Sequence, residues 1–217
     1  MNVISHLLIA GNKKLTQRRA LLQQVVRHAL QRILPLLHST HAVDVVFSVN
    51  PQATIPEFGI GGYTPNAHTI FISLDPKHPK FISSLKTQLP RTLAHELHHT
   101  IRWIDPGYGQ TLGEALVTEG LAANFELEVF GKKPNMWDLA VRGKKLQQLY
   151  QRATRELRSS QYNHNEWFFG SERRNIPRWA GYALGFHIVQ RFLSTHRQLP
   201  SDLVQTKSHK IITDAET

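Results

Sequence analysis

Two histidines one helical turn apart, with a glutamate beside the first, stand in His95-Glu96-Leu97-His98-His99. At about 100° per residue, a helix sets His95 and His99 about 40° apart, one turn above the other. Imidazoles so placed can close on one ion at roughly 2.0–2.1 Å, and H-E-x-x-H on a helix is a zinc signature. Leu93, Ala94, Leu97 and Ile101 gather on the opposite side. The helix therefore packs with one face and offers imidazoles from the other. Glu96 is offset to the side, where it reaches a water at the metal rather than the metal itself. The plainer reading is a polar helix face with solvated histidines, in a chain that holds 13 of them.

A catalytic zinc takes a third protein ligand and keeps a fourth position for water. In the stretch from Gly113 to Ala123, the helical neighbours of Glu119 are Ala115, Leu116, Ala122 and Ala123. All are apolar, and a carboxylate buried alone among them costs several kcal/mol. A cation opposite resolves that cost. The alternative is that Glu119 faces solvent or pairs with Arg91 or Arg102. The small alanines and Gly120 also allow two helices to approach closely. With His95, His99 and Glu119 on zinc, Glu96 becomes the general base for attack of water on a carbonyl. The oxyanion needs one more donor, for which Tyr182 is the candidate, between Gly181 and Ala183 at a helix start; a core or surface tyrosine is the equal alternative. His98, His164, His187 and Arg178 are lesser candidates, His98 as an outer-layer or exposed residue. Trp103, Trp167, Phe168 and Phe169 read as core residues or, less often, as the lining of a substrate pocket.

These residues need elements to position them. Leu15 to Leu37 carries apolar residues at helical spacing and reads as one amphipathic helix, with Pro35 disturbing its last turn. Val43 to Val49 reads as a strand. Phe58 to Tyr63 and Thr69 to Leu74 read as a hairpin around Thr64-Pro65-Asn66, and the second strand as an exposed sheet edge beside the zinc helix. Helices are expected over Pro90 to Trp103, Leu112 to Phe130 (stopped by Gly131), Met136 to Ser159 and Trp179 to Leu193. Asn163 to Pro177 reads as a loop, and the tail from Pro200 as polar and partly loose. No linker or repeat divides the chain. The expectation is one α+β domain over residues 1–217, mainly helical, with a small sheet ahead of the H-E-x-x-H helix.

Composition narrows the function classes. There is no cysteine among the 217 residues, which excludes disulfides, thiolate zinc sites and a cysteine nucleophile. The apolar patch at Val3, Ile4 and Leu7 to Ala10 has no basic residue before it and Lys13 and Lys14 after it, the wrong charge order for a secretory signal. No run approaches ~18 apolar residues. The protein is read as soluble and cytoplasmic, without a membrane partner. A formal net charge of +10 raises nucleic acid as a partner, but the basic residues are scattered without interleaved aromatics and read as solvated helix surface.

The step of twenty positions from His99 to Glu119 is similar to the gluzincin arrangement of thermolysin-like peptidases, over these two helices alone. Ala94 to His99, Glu119-Gly120-Leu121-Ala122 and Ala180 to Gly185 together resemble the bacterial YjaZ-like family of predicted zinc-dependent proteases. That likeness spans residues from about 60 to about 195. It implies a zincin-like fold, a Zn2+ cofactor, a peptide or protein substrate, and the site His95, His99, Glu119 and Glu96. One position departs from the thermolysin pattern. Where those enzymes carry an Asp one turn after the ligand Glu, this chain has Ala123, so Glu114, Thr118 or a backbone carbonyl must support the ligands. Competing classes are a non-catalytic zinc-binding module and a basic nucleic-acid-binding protein with a structural zinc.

Overall fold

The computed structural model describes residues 1–131 and 133–216, with the backbone alone at 214–216. The chain is of α+β class and divides into two compact units, Met1–Ile104 and Asp105–Thr217. No helix among the described residues is long and apolar enough to cross a membrane.

The first unit is a four-stranded sheet covered by helices. Strand β1 (Asn2–Leu8) leads through α1 (Lys13–Thr16) and α2 (Arg19–Ile33) into β2 (Ala42–Val49), which pairs with β1 in parallel. Strands β3 (Ile60–Asn66) and β4 (Thr69–Leu74) form an antiparallel hairpin, and the sheet order is β1-β2-β4-β3. Helices α3 (Phe81–Thr87) and α4 (Leu89–Ile104) follow. Val43, Val45 and Phe47 of β2 and Ile70, Ile72 and Leu74 of β4 are buried, as the alternation of side chains across a strand requires. Helix α4 packs on β3, α2 and α3.

Four expectations change here. The patch near the N-terminus is strand β1, whose side chains are mostly exposed; an edge strand paired through a long crossover leaves no clear period in its own sequence. The helix expected over Leu15 to Leu37 is three pieces. The Asn12 side chain caps the first by accepting from Leu15 N, and Pro35 lies in a 3-10 turn over Leu34–Leu36. The hairpin turns at Ala67-His68 rather than at Thr64-Pro65-Asn66, with His68 N donating to Asn66 Oδ1 at 2.8 Å. Pro65 has no N–H to give the ladder, and the register shifts between Tyr63 and Asn66. Finally, β4 is no edge: it lies between β2 and β3, and the edge strand beside α4 is β3.

The second unit is helical around α5 (Leu112–Phe130). A capping box opens α5: the Thr111 side chain accepts from Glu114 N, and the Glu114 carboxylate accepts from Thr111 N. Gly131, with φ of 55°, ends it in the left-handed conformation. Around it lie α6 (Gly143–Ala153), α7 (His164–Phe169), α8 (Ala180–His196) and α9 (Ser208–Glu216). Where α5 crosses α8, a Cβ on Gly120 would fall on the backbone of Gly185, and one on Gly185 on the backbone of Leu116. The two helices touch main chain to main chain, tied by Asn124 Nδ2 donating to Gly120 O at 2.8 Å and Phe186 O at 3.2 Å.

The helix expected over Met136 to Ser159 shortens to α6. Asn135 N donates to Asp138 Oδ2 in a turn ahead of it, and buried Val141 takes the chain into the core first. The expected loop over Asn163 to Pro177 contains α7, capped by Asn163. The tail is ordered too: α9 packs on α5 and α8 and buries Ile211.

Candidate metal centre

On α4 the rings of His95 and His99 stand edge to face with centroids 4.6 Å apart, the i, i+4 neighbourhood that the helical period dictates. The helix is not the half-exposed element expected from its pattern. His98, Thr100 and Arg102 are fully buried, His99 is 4 % exposed and Glu96 7 %. His98 is therefore interior, not exposed.

Glu96 is held by the hairpin. Thr64 Oγ1 donates to Glu96 Oε2 at 2.6 Å, and Trp103 Nε1, further along α4, donates to Thr64 O at 2.9 Å. Two residues before Thr64 on the same strand face, Gly62 leaves space for the carboxylate. A Cβ there would sit 2.5 Å from Glu96 Oε1 and 2.7 Å from Glu96 Cγ.

In the second unit Glu119 lies on α5, 5 % exposed, among the buried residues Ala115, Leu116, Ala122 and Ala123. Its carboxylate Oε1 accepts from the Tyr108 hydroxyl at 2.5 Å. Thr118 Oγ1, from the residue just before Glu119 on α5, donates to Tyr108 O at 2.8 Å and fixes the tyrosine's loop. Burial first, and then the Glu119 carboxylate, push the Tyr108 phenol well above its ordinary range, so it remains a donor. Tyr108 is a hydrogen-bond partner of Glu119 that the sequence pattern left unassigned. Its one sequence trace is an aromatic residue between two loop glycines, Gly107 and Gly109. Of the supports expected instead, Glu114 is engaged as the α5 cap, and Thr118 acts through Tyr108.

Tyr182 is half-buried on the first turn of α8, its ring edge-on to Phe168 at 5.0 Å and near Phe169 at 6.5 Å. It lies close enough to Tyr108 to add to the rise in that residue's pKa. His164 joins the same aromatic group. It stacks on Phe168 at 4.2 Å and pairs through Nδ1 with the Tyr162 hydroxyl at 3.1 Å. Burial lowers the His164 pKa, while Glu119 pulls it the other way. Trp167 and Phe168 are core residues, whereas Phe169 is exposed. The remaining candidates lie elsewhere. His187 lines a recess of about 280 Å³ with α6 residues Leu146 and Tyr150, and the Arg178 guanidinium stacks 3.9 Å over Trp179.

The chain is 30 % identical over 138 residues to the uncharacterized protein YjfC of Bacillus subtilis (strain 168), across 58 % of this chain and 46 % of that protein. It thus spans about half the length of that relative. No solved structure matches it. The model of the family described as "Predicted Zn-dependent protease (DUF2268)" matches residues 22–213, and the chain belongs to that family.

Proposed function

We infer that this chain is a zinc metallopeptidase of the gluzincin type, with His95, His99 and Glu119 as the metal ligands and Glu96 as the general base. The observation that carries the reading is the set of three donors. His95 and His99 stand one turn apart on α4 with ring centroids 4.6 Å apart, and Glu119 offers a buried carboxylate on α5. Two imidazoles and one carboxylate, without thiolate, suit a zinc that keeps an open position. The family description supports the same ion.

Bound zinc supplies Lewis acidity that favours deprotonation of water and polarises a carbonyl. The chain's own residues do the rest. Glu96 takes a proton from water as its oxygen bonds to the peptide carbonyl carbon. Glu96 then passes the proton to the amide nitrogen as the C–N bond breaks. Tyr182 is the proposed hydrogen-bond donor to the carbonyl oxygen as it gains charge. An extended peptide is taken to run along β3, the edge strand next to α4, by main-chain hydrogen bonds. A chain without cysteine suits a reducing compartment, and the cytoplasm is the proposed location.

The test is metal analysis joined to a peptide-cleavage assay. Wild type is expected to hold about one zinc per chain, with sharp loss in His99→Ala and Glu119→Ala. Glu96→Gln should keep its zinc and lose roughly a hundredfold or more of its activity. Zinc retained in Glu119→Ala removes that residue from the site. Zinc bound with no cleavage of any peptide library by wild type turns the reading to a non-catalytic module. Steeply salt-dependent nucleic-acid binding turns it to the third class.

A further inference from the structure

Glu96 leaves α4 on a side chain with three rotatable torsions, yet a general base works only with its carboxylate held within reach of the proton it takes. Strand β3 provides the hold. Thr64 is 5 % exposed, and its hydroxyl lies 2.6 Å from Glu96 Oε2 and 3.2 Å from the Glu96 backbone oxygen. The shorter contact has the length of a hydroxyl-to-carboxylate hydrogen bond. The other oxygen, Oε1, lies over Gly62, where any Cβ would collide with it. Thr64 is itself anchored. The β3–β4 register shifts at this point, and the Thr64 carbonyl accepts from Trp103 Nε1 at 2.9 Å. Helix α4 thus fixes the strand residue that in turn fixes a side chain of α4.

We propose that Thr64 is a positioning residue that selects the working oxygen of Glu96, engaging Oε2 so that Oε1, above the bare backbone of Gly62, handles the proton. The inference rests on Glu96 being the general base. Gly62 contributes the space and Thr64 the orientation, so the two functions can be separated by mutation.

The experiment compares Thr64→Val, Thr64→Ala, Thr64→Ser and Glu96→Gln in the full chain, by steady-state kinetics, zinc content, thermal melting and crystal structures. Loss of the hydroxyl in Thr64→Val or Thr64→Ala should lower kcat roughly 10- to 100-fold while KM stays within about twofold. Thr64→Ser restores the donor and should recover kcat to within about threefold of wild type. Zinc content is expected to stay at one per chain in all four. The crystal structures should show the Glu96 carboxylate in one orientation in wild type and Thr64→Ser, and displaced in Thr64→Val. Wild-type kcat in Thr64→Val beside an inactive Glu96→Gln overturns the role of Thr64 and leaves the base assignment standing. An unmoved Glu96 carboxylate in Thr64→Val overturns it as well. A fully active Glu96→Gln overturns the base assignment and this inference with it. Should Thr64→Val fail to fold, Thr64→Ala carries the same readings.

Discussion

A buried carboxylate is informative because water no longer hides what it needs. Glu119 sits among alanines and a leucine, with one oxygen bonded to the Tyr108 hydroxyl. A partner that orients a ligand carboxylate usually changes metal affinity 10- to 100-fold when removed. Tyr108→Phe is therefore expected to weaken zinc binding by roughly tenfold or more while the chain still folds. Chelator competition against wild type measures it, and equal affinities would show that Tyr108 does not tune the ligand. The apolar neighbours of Glu119 were legible because they follow from helical spacing alone. Tyr108 was not, because it reaches Glu119 from a loop eleven residues earlier, and no periodicity links the two.

At the scale of elements, legibility follows local chemistry. The end of α5 was legible from Gly131, since caps are made by residues within a turn of the helix end, while the Thr111–Glu114 box at its start emerged with the structure. Helix α4 is nearly as plain from its apolar spacing. The packing of α5 is another matter. Gly120 suggests a close approach, and the structure gives it α8 as the partner at Gly185. A methyl added at Gly185 lands on the Leu116 backbone, which cannot step aside as a side-chain tip can. Gly185→Ala should destabilise the second unit by about 1–3 kcal/mol through overpacking. Thermal unfolding against wild type reads it, and an unchanged midpoint would mean that the helices can separate without loss. The strands were harder. The pattern places Thr69–Leu74 correctly, but which strand lies at the edge is set by pairings across the sheet.

For the molecule as a whole, composition bounds the chemistry without locating it. A net charge of +10 and no cysteine leave room for many activities. The C-terminal region shows how hydropathy misleads at this scale. Its polar sequence reads as a loose tail, yet Leu203 and Ile211 are buried and α9 lies against α5, the helix that carries Glu119. Two apolar anchors suffice when a surface is already there to receive them. Removing residues 206–217 is thus expected to lower the melting temperature of the chain and reduce zinc retention. A truncated chain with wild-type melting and zinc content would return the tail to its plainer reading.

From the sequence alone came the α+β class, the two helices that hold the proposed ligands, and the chemistry of a His/His/Glu donor set. Each depends on neighbours within a few residues, where helical geometry leaves little choice. The tertiary structure alone decided that β3 and not β4 is the edge strand, that Thr64 and Gly62 govern Glu96, and that Tyr108 supports Glu119. Those are contacts between residues distant in the chain. They exist only after the sheet has chosen its order and the loops have closed, because the free energy that fixes them comes from burial and pairing that no local segment contains.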